Sequence, residues 1–213
     1  MPRPAFDTKA RILAWDIIKS EGFTALPIDP RRIMARHGIK LLDYTEFAIL
    51  CGRDRQGVIE DYDEDGFLFP LETKGGKMTY CIVYNEEKDE ERINWTLMHE
   101  LCHYFLGHVK CVEDVMTRAS KNKSALDVEA DSLCARLFCP TVVLHMCCVQ
   151  SPEEIAELCG ISYRAAFLRW QHLEKARHYK RFLEMKEERG ILEQFGPFIC
   201  RYLCTKLQVL PNK

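Results

Sequence analysis

Apolar positions recur at helical spacing from the start of the chain. Ile12, Trp15 and Ile18 predict an amphipathic helix over residues 8–20. Asp29 followed by Pro30 marks the start of a short helix, and Gly38 ends it after His37. Residues 39–44 read as a strand. Residues 51–66 hold Gly52, Gly57, Gly66 and an acidic run from Glu60 to Asp65, a pattern that predicts a solvated loop. Phe67-Leu68-Phe69 and residues 78–84 read as strands, the second rich in β-formers, with Lys74-Gly75-Gly76-Lys77 as the turn between them. A helix is expected over residues 89–106, closed by Gly107, and another over residues 124–138, stopping before Pro140. Ser151-Pro152-Glu153-Glu154 is a capping box that opens a helix ending at Cys159-Gly160. Ser162 caps the next, which runs towards Lys175. A charged helical extension to about Arg189 and a tail with Pro197 and Pro211 complete the chain.

Composition narrows the class. With 213 residues, 47% hydrophobic and 29% charged, the chain suits one globular domain and a small appendage. Thirty basic against 32 acidic side chains give a net charge of -2, which argues against a protein that mainly coats nucleic acid or an anionic membrane. No apolar run approaches the ~18–20 residues of a membrane span, and the N-terminus turns charged before a signal core forms. A cytoplasmic location follows as the expectation. The 11 cysteines are then reduced, and without any Cys-x-x-Cys pair most are expected to act as small buried hydrophobes.

The chemistry concentrates at His99-Glu100-Leu101-Cys102-His103, an H-E-x-x-H pattern. Two histidines four apart on a helix point the same way and can hold one zinc ion. Glu100 sits about 100° round the helix, near the metal but not on it, where it can accept a proton from the zinc-bound water. Ile93, Trp95, Leu97, Met98, Leu101, Tyr104, Phe105 and Leu106 surround the helix with apolar groups, so it should be buried. A buried His, Glu and His need satisfying, and a metal with its water satisfies all three.

Glycine three and histidine six residues beyond His103 would mark a metzincin; Leu106 and Val109 stand there instead. His108 lies about 180° from His99 on an ideal helix, a poor third ligand unless the chain unwinds at Gly107. An acidic residue on the 124–138 helix is the better candidate. Leu126, Ala130, Leu133 and Leu137 form its apolar stripe, with Asp127 and Asp131 along one flank and Glu129 on the other, the expected solvent side. Asp127 and Glu129 are about 160° apart, so they do not easily share one metal. Asp127 is favoured as ligand, with Asp131 orienting a ligand histidine; Glu129 stays as the alternative.

The stretch from Asn94 through His99-Glu100-Leu101-Cys102-His103 to His108, followed by Asp127-Val128-Glu129-Ala130-Asp131 and on to Pro140, resembles the ImmA/IrrE metallopeptidase family. The resemblance covers about residues 78–140. It implies a zincin-like fold, a Zn2+ cofactor, His99, His103 and Asp127 as ligands, and Glu100 as the catalytic base. The family pattern usually has glutamate where Asp127 stands. The implied activity is cleavage of a partner transcriptional repressor, which derepresses prophage, mobile-element or stress genes.

The expected fold class is therefore α+β: mostly helical, with a small β-sheet beside the H-E-x-x-H helix and a C-terminal helix-turn-helix-like segment. Residues 1–145 would form the metallopeptidase domain, 146–178 the helix-turn-helix-like module, and 179–213 a helical extension and tail. Residues 154–168 carry that module, with the small Ala156, Gly160 at the turn, Ser162 as cap and apolar residues at packing positions. Arg164 and Arg169, with Lys175, Arg177, Lys180 and Arg181 beyond, would be needed for DNA contact. The favoured reading is a helical hairpin that completes the core or docks the substrate. The functional expectation is a monomeric zinc endopeptidase acting on a helix-turn-helix repressor. The alternative is a non-enzymatic regulator that binds DNA or a repressor and uses its metal as a clamp. The oxyanion-stabilising residue is not legible; Tyr80, Tyr84, Tyr104 and His108 are the candidates.

Overall fold

The computed structural model describes residues 4–72, 75–76, 78–119, 125–179, 182 and 186–209. The turn residues Lys74 and Lys77, the helix start at Ser124, the basic Lys180 and Arg181, and Pro211 lie outside the described residues. The elements run α1 (Pro4–Ser20), α2 (Pro30–His37), β1 (Lys40–Asp43), α3 (Tyr44–Cys51), α4 (Arg55–Asp61), β2 (Gly66–Glu72) and β3 (Met78–Tyr84). They continue with α5 (Glu90–Leu106), α6 (Val112–Ala119), α7 (Ala125–Phe138), α8 (Thr141–Met146), α9 (Pro152–Cys159), α10 (Tyr163–His178) and α11 (Lys186–Val209). The fold is α+β, mostly helical, with one small sheet. The chain forms two compact units, residues 29–134 and residues 1–28 with 135–213.

In the 29–134 unit the strand order is β1-β3-β2, with β1 parallel and β2 antiparallel to β3. The central position of β3 follows from its sequence: Cys81, Ile82 and Val83 are fully buried. Residues 81–84 are paired on both sides, by β1 and β2, so no strand can be added there. The edge strand beside the helices is β2, against which α5 and α6 pack. Gly66 permits the close approach of β2: a Cβ there would meet Thr96 Cγ2 on α5 and the Val83 carbonyl oxygen, each at 2.7 Å.

The loop expected over residues 51–66 is half helical, through the end of α3 and the whole of α4. Asp43 and Glu46 form a reciprocal capping box that opens α3, and the Asp54 carboxylate accepts from the Gly57 N–H at 2.7 Å to open α4. Phe47, Tyr62, Phe67 and Phe69 then pack as one aromatic group, with Tyr62 stacked on Phe67 at 4.4 Å between centroids. That burial gives α3 and α4 the tertiary support their glycines and charges conceal.

In the other unit the expected tail is instead the long helix α11, with Pro197 inside it. Ile191 and Phe195 are fully buried and Ile199 nearly so, at i, i+4 and i+8. Burying three such side chains contributes roughly 1.5–3 kcal/mol each, which outweighs the ~3 kcal/mol cost of an internal proline. α11 packs on α1 and α8, and α9 packs on α10. Ser151 and Ser162 cap α9 and α10 through their hydroxyls.

All 11 cysteines are free thiols, six of them buried. Among the described residues no helix is long and apolar enough to cross a membrane.

Candidate metal centre

Helix α5 carries the centre. Its buried face includes Leu97, Met98, Leu101 and Cys102, and the same rotation buries Glu100 and His103. His99 keeps 17% of its side-chain surface exposed, so the cluster opens on its side of the helix. Gly107 ends α5 in the left-handed conformation at φ 67°, and its N–H bonds back to His103 and Tyr104.

The two histidines bring their Nε2 atoms within 3.0 Å of each other. Asp127, on the first turn of α7, places Oδ1 3.3 Å from His103 Nε2 and 4.0 Å from His99 Nε2. His99, Glu100 and His103 also offer ligand atoms that all lie within 4.8 Å of one another.

The Nδ1 partners decide the tautomers. His99 Nδ1 lies 3.0 Å from Asp131 Oδ1, which accepts a hydrogen bond from the Nδ1–H. His103 Nδ1 lies 3.0 Å from His108 Nδ1, whose Nε2 faces Glu129 Oε2 at 3.4 Å. The chain Glu129–His108–His103 thus lets His103 donate from Nδ1. Both histidines then turn an Nε2 lone pair to the same point, beside a carboxylate oxygen. Two lone pairs 3.0 Å apart repel unless a cation lies between them. The three separations bracket the about 3.3 Å edge of a tetrahedron with ~2.05 Å bonds to nitrogen and oxygen, as zinc prefers. The donor set, two imidazoles and one carboxylate, fits that metal.

Glu100 stands beside this triangle rather than in it, with Oε1 3.9 Å from His99 Nε2. Its Oε2 accepts from the Leu68 N–H of β2 at 2.8 Å, which fixes the carboxylate against the strand edge. Burial alone would push its carboxyl up, but Arg118 and the two imidazoles outweigh burial and hold it below the ordinary carboxylate value. Burial holds His103 below the usual imidazole value despite Asp127. For His99 the bond to Asp131, helped by Glu100, overcomes burial and raises it. Burial, with His103 and Arg118 adding to it, brings His108 down to about 4.

Several placements differ from the sequence expectation. Glu129 does not simply face solvent: it is 37% exposed and pairs with His108. Leu126, assigned to the apolar stripe, is 36% exposed. His108 lies beyond the end of α5, and the turn at Gly107 makes it a partner of His103. Arg118 on α6 also enters the cluster, without any sequence signal that points to it. Its guanidinium donates to both Glu100 oxygens, at 3.2 and 3.3 Å, to His103 Nε2 at 2.9 Å and to Asp127 Oδ1 at 3.5 Å. No spacing rule links it to the motif.

The module over residues 154–168 is a helical pair with Gly160 in the left-handed conformation between α9 and α10. Arg169 is buried and spent on structure, donating from Nε to the Cys139 carbonyl at 2.8 Å. The exposed face of α10 shows Tyr163, Phe167 and Leu168.

The family model described as Peptidase_M78, the IrrE N-terminal-like domain, matches residues 52–171. Comparison with curated proteins and with solved structures gives no match.

Proposed function

The chain belongs to the M78 peptidase family, a family of metallopeptidases, and from that premise we propose that it is a zinc-dependent endopeptidase whose substrate is a partner helix-turn-helix transcriptional repressor. The observation that carries the reading is the convergence of His99 Nε2, His103 Nε2 and Asp127 Oδ1 beside a buried, ionised Glu100. His99, His103 and Asp127 would hold the ion, with Asp131 and His108 orienting the imidazoles. Zinc, when bound, polarises the scissile carbonyl and makes water more acidic.

Glu100 supplies the base. It accepts the proton of the attacking water and passes it to the leaving amine, so a single carboxylate serves both halves of the hydrolysis. Its bond from Leu68 N–H keeps it aimed while it does so. The outer edge of β2 suits an extended substrate segment, which would add as a further strand next to Glu100.

The α9–α10 pair favours a protein partner over DNA. Arg169, one of the four Lys and Arg side chains on α10, is consumed in the interior, while Tyr163, Phe167 and Leu168 offer an apolar face. A cytoplasmic monomer, with residues 1–145 as peptidase domain, 146–178 as docking module and 179–213 as extension, completes the proposal. The regulator without catalysis would need no base beside its metal, and Glu100 is there. The test is co-expression with small helix-turn-helix repressors. The reading expects one to be cut, with cutting abolished by a chelator and restored by zinc; cutting that survives chelation would refute it.

A further inference from the structure

We propose that Arg118 is a further catalytic residue, whose guanidinium stabilises the negative charge that develops on the substrate's carbonyl oxygen. The inference rests on the metallopeptidase reading above. In peptide hydrolysis the water oxygen bonds to the carbonyl carbon and the C=O π pair moves onto the carbonyl oxygen. The water's proton goes to Glu100, and then to the amine nitrogen as the C–N bond breaks. One water is added across one bond, and no other reactant is needed. The charge that must be stabilised on the way is on the carbonyl oxygen, and a preorganised cationic donor there is worth far more in a buried site than in water.

The candidates legible in the sequence are otherwise engaged. Tyr80 donates to the Val109 carbonyl at 3.3 Å, and Tyr104 meets His37 Nδ1 at 3.5 Å. His108 is held between His103 and Glu129. Among the described residues Tyr84 has no hydrogen bond to the cluster.

Arg118 is different in three respects. Its side chain is only 14% exposed. Its Nη2 lies 2.9 Å from His103 Nε2, 3.5 Å from Asp127 Oδ1 and 3.3 Å from Glu100 Oε1. These distances put the guanidinium inside the cluster of candidate ligand atoms, within hydrogen-bond reach of where a substrate oxygen would be held. An oxygen entering the cluster would meet the guanidinium as a donor. Finally, its Nε–H is buried and has no acceptor among the described residues. A donor kept dry and unpaired lacks an acceptor that a substrate oxyanion would supply.

The test uses the full chain loaded with one zinc, as wild type, Arg118→Ala and Arg118→Lys. Inorganic phosphate, a tetrahedral oxyanion, is titrated into each by calorimetry, and cleavage of a quenched fluorescent peptide library is followed in parallel. Zinc content should not change. Phosphate affinity should fall roughly 10- to 100-fold in Arg118→Ala and less in Arg118→Lys. On the peptides kcat should fall about 10²–10³-fold with KM nearly constant, and added guanidinium ion should restore part of it. If Arg118→Ala binds phosphate like wild type, cuts as fast or faster, or loses its zinc, Arg118 is a counter-ion or a stopper and the proposal is overturned. If the library is not cut at all, the phosphate titration still decides. Wild type that takes up no zinc would instead bring down the metallopeptidase reading itself, a separate and recognisable failure.

Discussion

Removing the carboxylate behind His99 should weaken metal binding more than removing the imidazole behind His103. Asp131 Oδ1 receives a charge-assisted bond from His99 Nδ1 at 3.0 Å, whereas His108 Nδ1 receives a neutral one from His103 at the same length. A bond to a charged group contributes about 1.5–3 kcal/mol and a neutral one about 0.5–1.5 kcal/mol. Those ranges convert to roughly 10- to 150-fold and roughly 2- to 12-fold in a dissociation constant. Asp131→Ala should therefore weaken zinc binding by one to two orders of magnitude, and His108→Ala by about one at most. Asp131→Asn should fall between, because its amide oxygen still accepts the proton but without the charge. Asp131 is 30% exposed, so its loss leaves little unfilled space and the fold should survive. Competition against a chromophoric chelator, with circular dichroism as the folding control, reads all three. If His108→Ala weakened binding more than Asp131→Ala, or neither changed it, the assignment of Nδ1 partners and Nε2 ligand atoms would be wrong.

Two further outcomes follow from the same geometry. Asp127→Ala should lose the metal, while Glu129→Ala, which acts only through His108, should keep it with an affinity reduced less than tenfold; equilibrium dialysis with zinc distinguishes them, and the reverse order would exchange their roles. Away from the centre, Arg92 and Lys88 outweigh burial and hold the Asp65 carboxyl below its ordinary value. A carboxyl depressed in the folded state contributes stability that is present above its unfolded value, about pH 4, and is lost as pH falls through the folded one. Asp65→Asn should accordingly lower the urea midpoint at pH 7, by about 1 kcal/mol in stability, and hardly at all at pH 2.5; an equal loss at both would refute the charge argument.

What the sequence disclosed depends on how local the cause is. His99, Glu100 and His103 are readable because helical spacing alone sets their relation. Asp127 and Asp131 are readable as one flank of α7, since four residues is one turn. His108 lies off the ligand face of an ideal helix, yet the left-handed turn at Gly107 returns its ring to His103, a contact that no helical wheel contains. Arg118 was illegible because its bonds to Glu100 and Asp127 bridge three separate helices. The helices α3 and α4 had signals in Asp43-x-x-Glu46 and Asp54, but the glycines and charges around them carry the stronger local pattern. α11 hid behind Pro197, because the apolar series Ile191, Phe195 and Ile199 acquires its weight only against α1 and α8.

The central claim is that Glu100 acts as a base beside a metal held by other residues. Glu100→Gln tests it in one sample, by zinc content and by cleavage of the partner repressor on a gel. Glutamine can still accept from the Leu68 N–H, but it cannot take a proton from water at neutral pH. The account predicts one zinc per chain, intact binding of the partner, and cleavage slowed by roughly 10²–10⁴. Cleavage at the wild-type rate, with zinc retained, would contradict it.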